Sequence, residues 1–146
     1  MNDTSALRVL LVEDSFDDVV LTRMAFNKSR VSAQLHVVSD GRKALEFLLE
    51  PREPDAMWPD LILLDLNLPK ASGLEVLKEL RARDEFSAIP IILLTSSGHR
   101  EDMLQSYNLG CNAYIQKPSD FNVFVRAIDA LGEHWSTNAR LARRRK

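Results

Sequence analysis

A single cysteine, Cys111, stands in the whole sequence. No disulfide can close within such a chain, and a reducing compartment is the natural expectation. No apolar run approaches the roughly 20 residues that a bilayer-spanning helix requires. The opening Met-Asn-Asp-Thr-Ser lacks a basic stretch followed by an apolar run, so no secretory signal is expected. Charge of one sign is missing too: 19 basic residues nearly cancel 21 acidic ones, so net charge singles out no partner. There is no internal repeat. A cytoplasmic protein with no membrane association is the reading that these absences leave.

What is present suits one packed domain. The 146 residues are 45% apolar and 27% charged, which is ordinary for a globular chain with a proper core. Five short apolar runs recur, at residues 8–12, 34–38, 61–64, 91–94 and 113–116. The first, third and fourth are nearly continuous Val, Ile and Leu, the pattern of strands buried on both faces of a parallel sheet.

Helical spacing fills the intervals. Leu21 and Met24, then Leu74, Leu77 and Leu80, then Met103, Leu104 and Tyr107, each predict one apolar helix side. The clearest case is Phe121, Phe124, Val125, Ile128 and Leu131, at i, i+3, i+4, i+7 spacing. All five glycines and all six prolines fall between these segments or near their edges. Residues 50–59, with three prolines, predict a longer surface loop. Alternating strands and helices imply right-handed crossovers and an α/β fold with a parallel sheet between helices.

In such a sheet, functional groups collect beyond the carboxyl ends of the strands, where strand order reverses. Glu13 and Asp14 follow the first strand, and Asp65 follows the third. With a sheet order of 2-1-3-4-5, those strands are neighbours and the three acids converge. Gathered carboxylates repel one another, and burial is costly without a counter-ion. A hard divalent cation resolves the conflict, and Mg²⁺ takes one or two carboxylates together with substrate phosphate. The metal would screen repulsion between an attacking carboxylate and an anionic phosphoryl donor. Thr95 ends the fourth strand, and Lys117, before Pro118, ends the fifth; a hydroxyl and an ammonium there suit phosphoryl oxygens. Singly, each of these residues has a plainer explanation as turn, β-former or surface. Their joint occurrence at four strand ends is harder to dismiss.

Val12-Glu13-Asp14-Ser15, Leu63-Leu64-Asp65-Leu66-Asn67-Leu68-Pro69, Leu93-Leu94-Thr95-Ser96 and Tyr114-Ile115-Gln116-Lys117-Pro118 resemble the motifs of two-component receiver domains. The likeness covers about residues 7–133 of a single domain spanning 1–146, with 134–146 as an extension ending in a basic tail. Asp65-Leu-Asn-Leu-Pro-Lys70, the longer loop before the third strand, and His134-Trp135 are similar to single-domain response regulators that partner bacterial phytochrome histidine kinases.

The resemblance implies a flavodoxin-like receiver fold, a five-stranded parallel sheet flanked by five helices. It implies Asp65 as phosphoacceptor. Asp14, Asp65 and the backbone carbonyl of Asn67 would hold Mg²⁺, with Glu13 acting through a metal-bound water. Lys117 would contact the phosphoryl group, and its bond to Pro118 is expected to be cis. Thr95 would move in toward the phosphoryl oxygen, and Tyr114 would turn inward behind it. A shift of the face made by the fourth helix, fifth strand and fifth helix would follow. Such a protein is a stoichiometric phosphoacceptor with slow self-dephosphorylation, not an enzyme. Its partners would be a sensor histidine kinase, such as a bacteriophytochrome, and a second copy of itself.

Two departures from the family pattern stand out. Ser119 follows Pro118 where an aromatic is common, and Ala71-Ser72-Gly73 replaces the frequent Met-Asp-Gly. Gly73 still suits a tight approach to the third helix. Cys111 is read as a packing residue, since no His or Lys adjoins it.

Rival classes are discriminated by single features. An aspartyl phosphatase carries a second acid two residues after its nucleophile, where this chain has Asn67, which cannot transfer the proton. A nucleotide- or flavin-binding module needs a Gly- or Ser-rich loop after the first strand. Here that loop holds Glu13, Asp14, Asp17 and Asp18, which repel phosphate without a metal. The basic tail raises nucleic-acid binding, but no recognition helix in a second domain accompanies it, and none is expected to bind.

Overall fold

The computed structural model describes residues 6–49, 58–96, 100–116 and 121–144, with backbone alone beyond Glu133. Five strands, β1 (Leu7–Val12), β2 (Ala33–Val38), β3 (Leu61–Leu64), β4 (Ile91–Thr95) and β5 (Ala113–Gln116), form one parallel sheet ordered β2-β1-β3-β4-β5. Between and after them lie α1 (Phe16–Lys28), α2 (Gly41–Leu49), α3 (Gly73–Arg81), α4 (Arg100–Asn108) and α5 (Phe121–Arg144). A short 3₁₀ turn at Asp84–Phe86 precedes β4. The expected sheet order and helix count are therefore found, and β1, β2 and β4 each begin or end one residue beyond the apolar run that signalled them.

Alternation along the strands divides the core in two. Leu10, Val12, Ile62, Leu64, Ile91 and Leu93 face α2 and α3, where Leu48, Val76, Leu77 and Leu80 bury against them together with Phe86 of the 3₁₀ turn. Leu7, Val9, Leu11, Leu61, Leu63, Ile92 and Leu94 face the other way, against Ala25 and Phe26 of α1 and Phe124, Val125 and Ile128 of α5. Strands covered on both sides need no polar face, which is why β1, β3 and β4 are almost wholly aliphatic. Full burial of each such side chain stabilises the fold by about 1.5–3 kcal/mol.

Two of the helix readings are corrected. Met24 is exposed, and α1 buries Thr22, Ala25 and Phe26 instead. On α4 the expected apolar side points outward: Met103, Leu104 and Tyr107 are all exposed, and only Ser106 is buried. Both errors have one cause. Short apolar pairs at helical spacing define a side without saying whether the sheet or solvent covers it. Leu77 and Leu80 of α3 and the buried row of α5 match their reading, and α5 continues as helix through the C-terminal extension to Arg144. Of the loop expected at 50–59, residues 50–57 lie outside the described residues; Trp58 stacks on Phe86 with ring centroids 5.2 Å apart. The side chains of His134 and Trp135 also lie outside them.

Candidate metal and phosphoacceptor site

β1 lies between β2 and β3, so the chain leaves it at the point where strand order reverses. Val12 and Leu64 pair across β1 and β3. Both strands end there, which places Glu13 and Asp14 beside Asp65. One carboxylate oxygen from each of these three residues lies within 4.8 Å of the others. Glu13 (3% exposed) and Asp65 (7%) are buried, while Asp14 opens to solvent.

Backbone donors orient the two buried acids. The N–H of Ser15 donates to Oε2 of Glu13 at 3.2 Å, and the N–H of Asn67 donates to Oδ1 of Asp65 at 3.2 Å. Ser15 also caps α1, its Oγ accepting from the N–H of Asp18. The loop after β3 then bends through Lys70 (φ 63°) and Ala71 (φ 154°), conformations that L side chains seldom adopt. Two tight contacts hold that bend. A Cβ at Gly41 would overlap the carbonyl of Ala71, and one at Gly73 would overlap the carbonyl of Asp65. Only glycine fits either place. Ser72 and Glu75 complete a capping box at the start of α3, a Ser-x-x-Glu signal that was legible in the sequence and not singled out.

The donor set is three hard carboxylate oxygens at mutual distances that one ion can bridge. That chemistry fits a divalent cation of the Mg²⁺ or Mn²⁺ kind, and not a thiolate- or imidazole-binding metal.

Thr95 is fully buried at the end of β4 and pairs with Gln116, while Leu93 pairs with Tyr114. Thr95 and Tyr114 therefore stand diagonally on one face of the sheet, the face that also carries Leu93. Tyr114 is half-buried against the core there. Lys117 and Pro118, with the bond between them, lie outside the described residues, so the expected ammonium and cis peptide have no placement. Of the expected residues, the structure thus gathers Glu13, Asp14 and Asp65, with Asn67 hydrogen-bonded to Asp65, and places Thr95 on β4, the strand beside β3, and Tyr114 on β5, one strand further. Cys111 is buried in the core, as expected of a packing residue.

A doubly wound parallel sheet with an acidic pocket at its reversal point, fit to hold a divalent cation, is a feature of phosphoryl- and metal-handling α/β proteins. Among these, the response regulator receiver domain family matches residues 9–129, and the chain belongs to that family. The response regulator Rcp1 of Synechocystis is 35% identical over 128 residues, covering 87% of each chain. The phosphorylated cyanobacterial phytochrome response regulator RcpA superposes with a TM-score of 0.79 at 36% identity, covering 89% of this chain and 94% of that one. The bacteriophytochrome response regulator RtBRR does so at 0.73 and 43% identity, covering 87% and 78%. The chain is thus a two-component receiver domain, a phosphoacceptor similar to phytochrome response regulators. Among the described residues, no helix is long and apolar enough to cross a membrane.

Proposed function

We propose that Asp65 accepts a phosphoryl group from a phosphohistidine of a sensor kinase, with Mg²⁺ in the acidic pocket. The observation that carries this reading is the convergence of Glu13, Asp14 and Asp65 at the reversal point of the sheet. Asp14, Asp65 and the carbonyl of Asn67 would hold the ion directly, and Glu13 through a water. When bound, Mg²⁺ offsets the pocket's negative charge and stabilises charge on the transferring phosphoryl group. Asp65 supplies the nucleophile: one of its carboxylate oxygens forms the new O–P bond, the N–P bond breaks, and its electron pair returns to the imidazole, which then takes up a proton. Lys117 would bind the phosphoryl oxygens, aided by a cis bond to Pro118. Thr95 and Tyr114, on one sheet face, would couple the new charge to α4, β5 and α5. Asn67, unable to act as general base, favours slow hydrolysis over turnover.

The two solved relatives named for phytochromes, RcpA and RtBRR, support a bacteriophytochrome as the cognate kinase. An apolar row on α1, Phe16, Val20 and Met24 at four-residue spacing, is exposed and starts two residues past Asp14, which suits a donor protein that must reach Asp65. The outward Met103, Leu104 and Tyr107 on α4 support a homodimer through the α4–β5–α5 face. The whole chain would act as one cytoplasmic receiver unit, with no part in nucleic-acid binding.

Transfer from an autophosphorylated bacteriophytochrome kinase tests this reading. Label should appear on the parent and on Asp17→Asn, whose carboxylate is exposed and outside the pocket, and not on Asp65→Asn. Label on Asp65→Asn would assign the chemistry elsewhere.

A further inference from the structure

Among the described residues, the Arg81 side chain, at the end of α3, binds only neutral oxygens. Nε donates to the carbonyl of Gly110 at 2.8 Å, and Nη1 donates to the carbonyl of Phe86 at 2.8 Å. Nη2 donates to the carbonyl of Ile89 at 3.0 Å and to Oδ1 of Asn112 at 2.7 Å. The same Asn112 oxygen accepts the N–H of Ile91, the first residue of β4, at 2.8 Å. Among the described residues, no carboxylate pairs with this guanidinium. One rigid fork therefore ties α3, the chain leading into β4, and the corner between α4 and β5.

That corner is shaped for it. Gly110 has φ +103°, and a Cβ there would stand 3.1 Å from Cγ of Arg81, so the arginine stem lies across the one residue without a side chain. The corner's backbone is bonded throughout: Leu109 N–H to Gln105, Gly110 N–H to Tyr107, Cys111 N–H to Ser106 and Asn112 N–H to Ile91, at 2.8–3.1 Å. The rest of α4 contrasts with this end. Ser106 is its only buried residue, and its apolar side chains face outward. An element with so little buried surface is held mainly by its ends. Its N-terminal end follows Thr95 by way of residues 96–99, and its C-terminal end is under Arg81.

From this we infer that Arg81 is a positioning residue for the switch: it fixes the C-terminal end of α4, so that phosphorylation moves the N-terminal end about that pivot. The inference rests on the phosphorylation reading above and adds to it a direction of motion and the residue that sets it. Without the clamp, displacement at Thr95 would move α4 as a loose body and lose its direction.

Spin labels at Asn27 on α1, paired with a label at either Glu101 or Asn108, report the two ends of α4. Each pair is measured with Mg²⁺ alone and with Mg²⁺ plus beryllofluoride, a phosphoryl mimic. In the parent, the distance to 101 should shift on adding the mimic and the distance to 108 should not. In Arg81→Gln, the distance to 108 should shift and broaden as well, and amide exchange at residues 109–112 should accelerate at least tenfold. Arg81→Lys, which keeps the charge without the fork, should behave between the two, and it carries the test if Arg81→Gln does not fold. An Arg81→Gln protein of lower melting temperature that still moves only at 101 would make the residue merely structural and overturn the inference. A parent that binds the mimic but moves equally at both ends would do the same. A parent that binds no mimic would overturn the phosphorylation reading itself, and the pivot with it.

Discussion

Asp65 donates its backbone N–H to the carbonyl of Val12 at 3.1 Å, the last rung that joins β3 to β1. That bond fixes where the phosphoacceptor candidate sits relative to Glu13 and Asp14, one and two residues further along the partner strand. Side-chain direction alternates along a strand, so a one-residue slip would send Asp65 to the opposite face. The twin aliphatic cores prevent such a slip, because it would exchange every inward residue between them. The acidic pocket is in this sense a product of core packing.

Three carboxylates held within 4.8 Å repel one another in the absence of metal. At about 4 Å, each like-charge contact costs on the order of 1 kcal/mol even in a water-like dielectric. Asp14→Asn should therefore raise the midpoint of unfolding in metal-free buffer and abolish most of the stabilisation that Mg²⁺ gives the parent. Thermal melts with chelator and with millimolar Mg²⁺ check both halves. A variant less stable than the parent without metal, or equally stabilised by Mg²⁺, would contradict the shared-ion account.

Gly73 packs its α-carbon against the carbonyl of Asp65, and its N–H donates to the carbonyl of Leu66 at 2.9 Å. Adding a methyl group there forces the backbone of the phosphoacceptor loop to move. Gly73→Ala should cost about 1–3 kcal/mol in chemical denaturation, as overpacking does, and should weaken Mg²⁺ affinity as well. Wild-type Mg²⁺ binding in a destabilised variant would show that the loop yields away from the pocket.

Phe16 is 78% exposed, only two residues past Asp14. It contributes nothing to the core, so Phe16→Ala should leave stability within about 0.5 kcal/mol of the parent. Transfer from the kinase should slow at least tenfold, while phosphorylation by a small donor stays unchanged. Equal slowing with both donors would move Phe16 from a docking role to the pocket itself.

Burial pushes the Cys111 thiol up from its ordinary range, against an opposing pull from the neighbouring Arg81. A protonated, enclosed thiol is a poor nucleophile. Labelling by a disulfide reagent at neutral pH should run at least tenfold slower on the native protein than on the chain unfolded in denaturant. Equal rates would mean that the corner after α4 opens freely and that the Arg81 tie is weak.

The sheet was legible because continuous Val, Ile and Leu at 61–64 and 91–94 have no other economical explanation than strands covered on both faces. Its order came from the likeness to receiver domains, since connection rules alone leave it open, and the acids were read from their place after β1 and β3. What escaped the sequence was of a different kind. Met103, Leu104 and Tyr107 have the spacing of a buried row, yet it is Ser106 that is buried and Leu109 that packs on the core. The Arg81 tie joins a side chain to carbonyls up to 29 residues away, and backbone acceptors carry no residue identity to read. The bend at Lys70 and Ala71 was equally hidden, since the positive φ falls on non-glycine residues and the room for that loop is left by Gly41 and Gly73 outside the bend. Phe86, fully buried beneath Trp58, sits in a 3₁₀ turn too short to show any period.

The central claim is that Asp65 is phosphorylated in a metal-dependent reaction. Intact-mass spectrometry after incubation with acetyl phosphate, with Mg²⁺ or with chelator, tests it most directly on the parent and on Asp65→Asn. The account predicts one added phosphoryl group, seen only on the parent and only with Mg²⁺. An adduct that persists in Asp65→Asn, or that forms equally in chelator, would contradict it.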